Sequence, residues 1–191
     1  MKLKKTILYI LTLILIPIII TFSICLLPKN NNDNKGLLIG NTVENININY
    51  QYDDTFTSSF MDSSYLLKML KNDASKEIEN KIVKLSSLIK KSSFIIINIG
   101  LVDIESLIEV NEKENLLIFD EELIYQKCEI LFSNLRQCIK TTYEYNDKIA
   151  VFINKLSYNY YINDEKLINI YNDINNSYKN ISLENKATFI Q

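Results

Sequence analysis

Three short, nearly unbroken apolar runs constrain the fold of this 191-residue chain more than any other feature. They occupy residues 36–40, 94–99 and 149–153 and are dominated by isoleucine, leucine and valine. Runs of this length without polar interruption are typical of strands buried on both faces of a parallel sheet. Residues 186–190 are a weaker fourth candidate strand.

Segments in which apolar residues recur with the helical period lie between these runs. Two of the segments begin with acidic residues, which suit a helix N-terminus: Asp120-Glu121-Glu122 and Asp164. The three apolar stripes are Ile78, Ile82, Leu85 and Ile89; Ile124, Cys128, Leu131, Leu135 and Cys138; and Leu167, Tyr171, Ile174, Tyr178 and Ile181. Strands alternating with helices imply right-handed crossovers. The pattern predicts a three-layer α/β/α sandwich with a mainly parallel sheet.

The N-terminal segment predicts a membrane anchor. Residues 6–27 are uncharged and apolar, and as a helix they would be roughly 33 Å long, enough to cross a hydrocarbon core of about 30 Å. Three lysines precede them, so the positive-inside rule places the N-terminus in the cytoplasm and the remainder outside. The alternatives are a lipoprotein anchored through Cys25 and a cleaved, secreted form. Bulky Ile24 just before the cysteine does not suit a lipoprotein, and the apolar run is longer than that of a cleaved signal peptide.

These features divide the chain into four parts. We expect a cytoplasmic stub (1–5), a signal anchor in the lipid bilayer (6–27), a flexible polar linker (28–35) and one extracellular α/β domain (36–191).

Charge and cysteine content exclude several classes of function. The chain has 21 basic and 23 acidic residues, and three of the basic ones lie within residues 1–5, so the expected domain is acidic. Nucleic acid is therefore not an expected partner. Cys128 and Cys138 are ten residues apart on one predicted helix, roughly 15 Å and too far for a disulfide, which predicts free, buried thiols. The sequence has no histidine, and we expect no metal site and no cofactor.

Two predicted strands end in glycine turns. The first ends in Gly40-Asn41-Thr42 and the second in Ile99-Gly100-Leu101-Val102-Asp103. This arrangement resembles the SGNH (GDSL-type) hydrolases, in which an early strand ends in Gly-Asp-Ser and a later one in Gly-x-Asn-Asp. The resemblance covers residues 36–190 and is to membrane-anchored forms from low-GC Gram-positive bacteria. It implies that the parallel sheet is flavodoxin-like.

The resemblance implies a catalytic site that this chain has largely lost. In the family a serine attacks an ester, a histidine oriented by an aspartate activates it, and the asparagine helps to hold the oxyanion. Here Asn41 and Thr42 stand for the Asp-Ser pair and Val102 for the asparagine, while Gly100 and Asp103 are retained. The family's Asp-x-x-His pair follows the last strand, where this chain ends, so the resemblance implies a C-terminally truncated domain without functional catalytic residues.

The segment after the first turn departs from the family. Residues 46–52 alternate like a strand but follow the first strand too closely for a parallel crossover. We expect an antiparallel hairpin or an irregular loop there, without the helix that normally follows the nucleophile.

Other polar and aromatic clusters have two interpretations each. Asp103, followed by Glu105 and Glu109, is either a catalytic remnant or, as we expect, a helix N-cap. The acids at 53–54 and 120–122 are either cation ligands or, as we expect, solvated loop and helix-start residues. Three tyrosines after the third strand form either a binding wall for a sugar or peptide or ordinary loop packing: Tyr158, Tyr160 and Tyr161.

Two functions follow from the sequence. The first is a membrane-tethered, non-catalytic SGNH-like domain that binds an envelope glycan, a lipid or a membrane protein. The second is a residual esterase that acts on cell-envelope esters with Thr42 as the nucleophile. A decaying copy that folds poorly is a third possibility.

Overall fold

The computed structural model describes residues 35–42 and 52–190. The predicted anchor (6–27) and nearly all of the predicted linker (28–35) and of the strand-like segment (46–52) lie outside these residues. Within the described ranges, none of the helices combines the length and apolarity that crossing a membrane requires.

Nine strands and five helices follow one another in the described ranges. In chain order they are β1 (Gly36–Asn41), β2 (Asp54–Ser58), α1 (Ser63–Lys71), β3 (Ser75–Ile78), β4 (Lys81–Lys84), α2 (Leu85–Lys91), β5 (Phe94–Asn98), α3 (Leu101–Glu105), β6 (Ile108–Asn111), β7 (Leu116–Phe119), α4 (Glu121–Tyr145), β8 (Ala150–Asn154), α5 (Glu165–Glu184) and β9 (Thr188–Ile190).

The main sheet has five strands in the order β2-β1-β5-β8-β9, and every neighbouring pair is parallel. This is the flavodoxin-like order, with the first described strand second from one edge. The four predicted strands are confirmed as β1, β5, β8 and β9. The polar strand β2 was not predicted because only one of its side chains, Phe56, is buried and no apolar run marks it.

The two faces of this sheet belong to different apolar clusters. One face packs against helices α1, α2, α4 and α5 and includes the buried side chains of Leu37, Ile39, Ile95, Ile97 and Ile153. The other face forms a smaller cluster from Leu38, Phe94 and Ile96 with Phe152 and Ile190. The described helices contribute side chains to the first cluster alone, so the described ranges show two of the three predicted layers.

The predicted helical stripe through Ile78 and Ile82 is wrong. These residues lie on β3 and β4, an antiparallel hairpin in which Ile78 pairs with Lys81. The turn residues Glu79 and Asn80 have φ values of 49° and 62°, the left-handed pair that a two-residue hairpin turn favours. The spacing of the apolar residues fits a helix, but the turn at Glu79 and Asn80 interrupts it. The helix α2 therefore begins only at Leu85, after the hairpin.

The other two stripes are confirmed as the buried faces of α4 and α5. The Asp120 carboxylate accepts hydrogen bonds from the main-chain N–H groups of Glu122 and Leu123, and the Asp164 carboxylate accepts one from Leu167. Asp164 is therefore the N-cap that the sequence predicts, and Asp120, which the sequence places at a helix start, is an N-cap as well. Cys128 and Cys138 are buried free thiols on α4, as predicted.

Candidate functional site

A cavity lies at the carboxyl ends of β1, β5 and β8. Its volume is about 490 Å³, and it opens where the chain order of the strands reverses between β1 and β5. Parallel α/β sheets bind ligands at this position. The described lining residues are Asn41, Thr42, Ser59, Asn98, Leu101, Val102, Glu105, Asn154, Lys155, Leu156, Ser157 and Asn159.

Both predicted glycine turns border this cavity and require glycine. Gly40 has a φ of 112°, and a Cβ atom there would lie 1.9 Å from the carbonyl oxygen of Asn98. Gly100 has a φ of 109°, and a Cβ atom there would lie 2.2 Å from the hydroxyl of Tyr178. That hydroxyl donates a hydrogen bond of 2.9 Å to the carbonyl of Ile99. The absence of a side chain at Gly40 therefore lets β1 lie close to β5, and its absence at Gly100 leaves room for Tyr178 of α5.

Three asparagines at the ends of neighbouring strands form a hydrogen-bonded row. Asn154 of β8 donates from Nδ2 to Oδ1 of Asn98 on β5 at 2.9 Å, and Asn98 donates from Nδ2 to the main-chain carbonyl of Asn41 on β1 at 3.1 Å. The row ties three strand ends to one another. It presents amide groups, which both donate and accept hydrogen bonds, along the base of the cavity.

Asn41 lacks a partner for one polar atom. Its side chain is buried, at 2% exposure, and its Oδ1 atom has no hydrogen-bond partner among the described residues. A buried acceptor left without a donor costs about 1–3 kcal/mol. A ligand hydroxyl or N–H group in the cavity would remove that cost.

The two positions at which the sequence resemblance implies a nucleophile and an oxyanion asparagine line the cavity. Thr42 provides an exposed hydroxyl at the end of β1, whereas Val102 on α3 provides no hydrogen-bond donor. Glu105, half-buried on the same helix, lines the cavity too, and burial raises the pKa of its carboxyl group. The site therefore has a hydroxyl and a carboxylate, and no imidazole, because the sequence has no histidine.

Asp103 is not the helix N-cap that the sequence predicted. Gly100 is the N-cap of α3, and Asp103 is a buried residue within that helix. Its carboxylate accepts hydrogen bonds from the main-chain N–H and the hydroxyl of Ser63, at 2.8 and 2.7 Å. Asp103 therefore stabilises the start of a different helix, α1, which the local sequence around it could not reveal. Glu109, expected in the following turns, lies on strand β6.

The loop after β8 forms another wall of the cavity, and Asn175 of α5 fixes it. The Asn175 side chain accepts a hydrogen bond from the Leu156 N–H and donates one to the Leu156 carbonyl, both at 2.9 Å. Sequence reasoning missed Asn98, Asn154 and Asn175, since asparagine is abundant throughout this chain. The signal that could have found the first two is their shared place at the ends of two predicted strands.

The three predicted tyrosines are divided between packing and exposure. The rings of Tyr158 and Tyr160 are 5.5 Å apart, and the Tyr158 ring is also 5.4 Å from Tyr171 on α5. Burial, with a contribution from the Glu105 charge, raises the pKa of Tyr160 to about 12. Tyr161 is 71% exposed. None of the three is among the residues that line the cavity.

The remaining acidic candidates have local roles. The Asp53 carboxylate accepts a hydrogen bond from the Gly36 N–H at 3.0 Å, which links the approach to β2 with the start of β1. Asp54 begins β2, and Asp120 is the N-cap of α4. In the described ranges, no group of three or more acidic, cysteine or histidine side chains is arranged to hold a metal ion.

The chain has structural likeness to known proteins but no match in sequence. No protein-family model matches the chain, and no curated protein matches its sequence. Among solved structures, it is similar to the extracellular lipase from Streptomyces rimosus, with 10% sequence identity and a TM-score of 0.49 over 82% of this chain and 79% of the lipase.

Proposed function

We propose that this protein is a remote SGNH-like domain that binds an envelope component or a partner protein at the strand-end cavity and does not hydrolyse esters. Three features support the kinship: the parallel sheet with its flavodoxin-like order, the glycine turns at the ends of β1 and β5, and the retained Asp103. The proposal includes the anchor at residues 6–27, with the domain outside the cell, on the sequence argument alone.

The observation that carries the binding function is the asparagine row beneath the cavity. Asn41, Asn98 and Asn154 belong to three adjacent strands, and their side chains converge on one concave surface of about 490 Å³. That volume lies within the range of about 300–1,000 Å³ that is typical of small-molecule sites. A concave surface with convergent amides is suited to holding a polar ligand in one orientation.

The same surface is poorly equipped for ester hydrolysis. An alcohol is a weak nucleophile without an adjacent base, and the described residues place no hydrogen-bond acceptor against the Thr42 hydroxyl. Val102 cannot donate to an oxyanion, and the loss of one such donor costs on the order of 10²–10³ in rate. The surface can therefore bind a substrate-like molecule, but it lacks the groups that would stabilise a tetrahedral intermediate.

A residual esterase is the second candidate, and Glu105 is the observation that favours it. Burial raises the pKa of this carboxyl group, and it lines the same cavity as Thr42. A carboxylate whose pKa is raised is a better general base near neutral pH than an ordinary one. Thr42 and Glu105 would then act as nucleophile and base.

Hydrolysis of p-nitrophenyl acetate by the purified full chain separates the two candidates. We expect the rate to equal that of the Thr42→Ala variant and of a control, Thr188→Ala, which changes an exposed threonine on β9. Turnover that persists in Thr188→Ala and disappears in both Thr42→Ala and Glu105→Gln would overturn the non-catalytic proposal.

A further inference from the structure

We infer that the strand-end cavity takes a neutral, hydroxyl-rich ligand, that is, a glycan, and that Asn41 and Asn154 hold it. The inference rests on the proposed binding function and specifies the chemical class of the ligand for the same cavity.

The composition of the cavity wall argues against the other ligand classes. Nine of its twelve described lining residues have polar or charged side chains, and the three apolar ones are Leu101, Val102 and Leu156. A site for an acyl chain would need a mostly apolar wall, as small-molecule sites commonly have. This cavity instead offers amides and hydroxyls, which match groups that both donate and accept hydrogen bonds.

The charges of the wall favour an uncharged ligand. Glu105 and Lys155 are its two ionisable side chains among the described residues, and they have opposite signs. A phosphate or carboxylate ligand would be expected to face an excess of basic groups, and a cation an excess of acidic ones. With the two charges balanced, a neutral polyol meets no uncompensated repulsion.

The buried amide of Asn41 supplies an independent sign of a ligand. Its Oδ1 atom is buried, lacks a donor among the described residues, and belongs to a side chain that lines the cavity. A sugar hydroxyl can donate to this oxygen and accept from a second group with the same oxygen atom. A ligand without N–H or O–H donors would leave the Asn41 oxygen unpaired.

Asn98 positions the side-chain amide of Asn154, the second residue proposed to hold the ligand. Because Asn98 Oδ1 accepts the 2.9 Å hydrogen bond from Asn154 Nδ2, the Asn154 carboxamide is held in one orientation. Its Oδ1 atom takes no hydrogen bond from the described residues, so it is available to a second hydroxyl. Asn41 and Asn154, two strands apart in the sheet, can then contact separate parts of one sugar chain.

Isothermal titration calorimetry on the purified full chain tests the inference. The protein is kept in a zwitterionic detergent without a sugar headgroup, and the probes are the tetrasaccharides chitotetraose, cellotetraose and maltotetraose. We expect at least one to bind, with affinity lowered about three- to tenfold in Asn154→Ala, as the loss of one hydrogen bond implies. Asn41→Ala should lower it as well.

The matched control is Asn180→Ala, which removes an exposed amide on α5 and should leave the affinity unchanged. Thermal melts of each variant show whether it is folded, and Asn154→Ala keeps the test decisive if the buried Asn41 variant does not fold.

Parallel titrations with inorganic phosphate, sodium octanoate and phosphatidylglycerol vesicles identify the alternative ligand classes. Binding of any of these with dependence on Asn154, and no binding of the sugars, would overturn the glycan inference and leave the proposed binding function standing. Sugar binding that is equal in Asn154→Ala and Asn180→Ala would also overturn it. Failure of the proposed function is recognised separately, as Thr42-dependent ester turnover.

Discussion

The carboxylate of Asp103 on α3 accepts two hydrogen bonds from Ser63, the first residue of α1, although forty positions separate them in the chain. Ser63 also accepts a 3.0 Å hydrogen bond from Nδ2 of Asn134 on α4. Asp103, Ser63 and Asn134 therefore join three helices, α3, α1 and α4. Asp103 therefore has a structural role at a position where the resemblance to hydrolases would place part of a catalytic motif.

Removing the Asp103 carboxylate should destabilise the fold. Asp103→Ala leaves the buried Ser63 N–H without an acceptor, so we expect the free energy of unfolding to fall by about 2–4 kcal/mol. Asp103→Asn retains one acceptor for that N–H, so its free energy of unfolding should fall clearly less than that of Asp103→Ala. Urea unfolding monitored by circular dichroism measures both. Equal losses in the two variants would contradict the proposed role of these hydrogen bonds.

The same residue predicts a pH dependence of stability. Burial raises the pKa of Asp103 in the folded protein above its ordinary value, although the Ser63 hydrogen bonds act in the opposite direction. Between the two pKa values the folded state then binds more protons than the unfolded state. The contribution of the Asp103 carboxyl group to the free energy of unfolding is therefore present at low pH and is lost as the pH rises through the folded pKa.

Urea unfolding of the unmodified chain and of Asp103→Asn at several pH values above about 4 checks this prediction. As the pH rises, the free energy of unfolding of the unmodified chain should fall relative to that of Asp103→Asn. A difference that moves the other way would show that the hydrogen bonds outweigh burial and that the folded pKa is depressed.

The turn at Gly100 predicts a coupling between two residues. Gly100→Ala should cost at least about 2 kcal/mol, because its Cβ atom would lie 2.2 Å from the Tyr178 hydroxyl at a φ of 109°. Tyr178→Phe removes the clashing oxygen, so the double variant should lose less than the sum of the single losses. Additive losses in chemical unfolding would show that backbone strain alone explains the cost.

The two described cysteines should be unreactive in the folded protein. Burial raises the pKa of both Cys128 and Cys138 to about 12, and a protonated, buried thiol is a poor nucleophile. Iodoacetamide at pH 8, followed by peptide mass spectrometry, should modify them only after denaturation. Rapid modification of either residue in the native chain would contradict the packing of α4.

The sequence was sufficient for the features whose physical causes are local. The apolar runs of β1, β5 and β8 and the acidic residues at the starts of α4 and α5 each have short-range signals, and the sequence predicts all of them. The spacing of Ile78 and Ile82 predicts a helix because a tight hairpin turn places two strand residues four positions apart. The row of Asn41, Asn98 and Asn154 depends on strand order, which brings together residues more than fifty positions apart, so no local pattern could predict it.

One nuclear magnetic resonance experiment tests the central claim, that the strand-end cavity binds without hydrolysing, in a single sample. The labelled full chain is incubated with methyl 6-O-acetylglucoside, which offers both the hydroxyls of a sugar and an ester. We predict that the side-chain amide signals of Asn41 and Asn154 shift while no free acetate accumulates beyond the rate in buffer. Acetate release that is abolished by Thr42→Ala, or amide signals that do not change, would contradict the account.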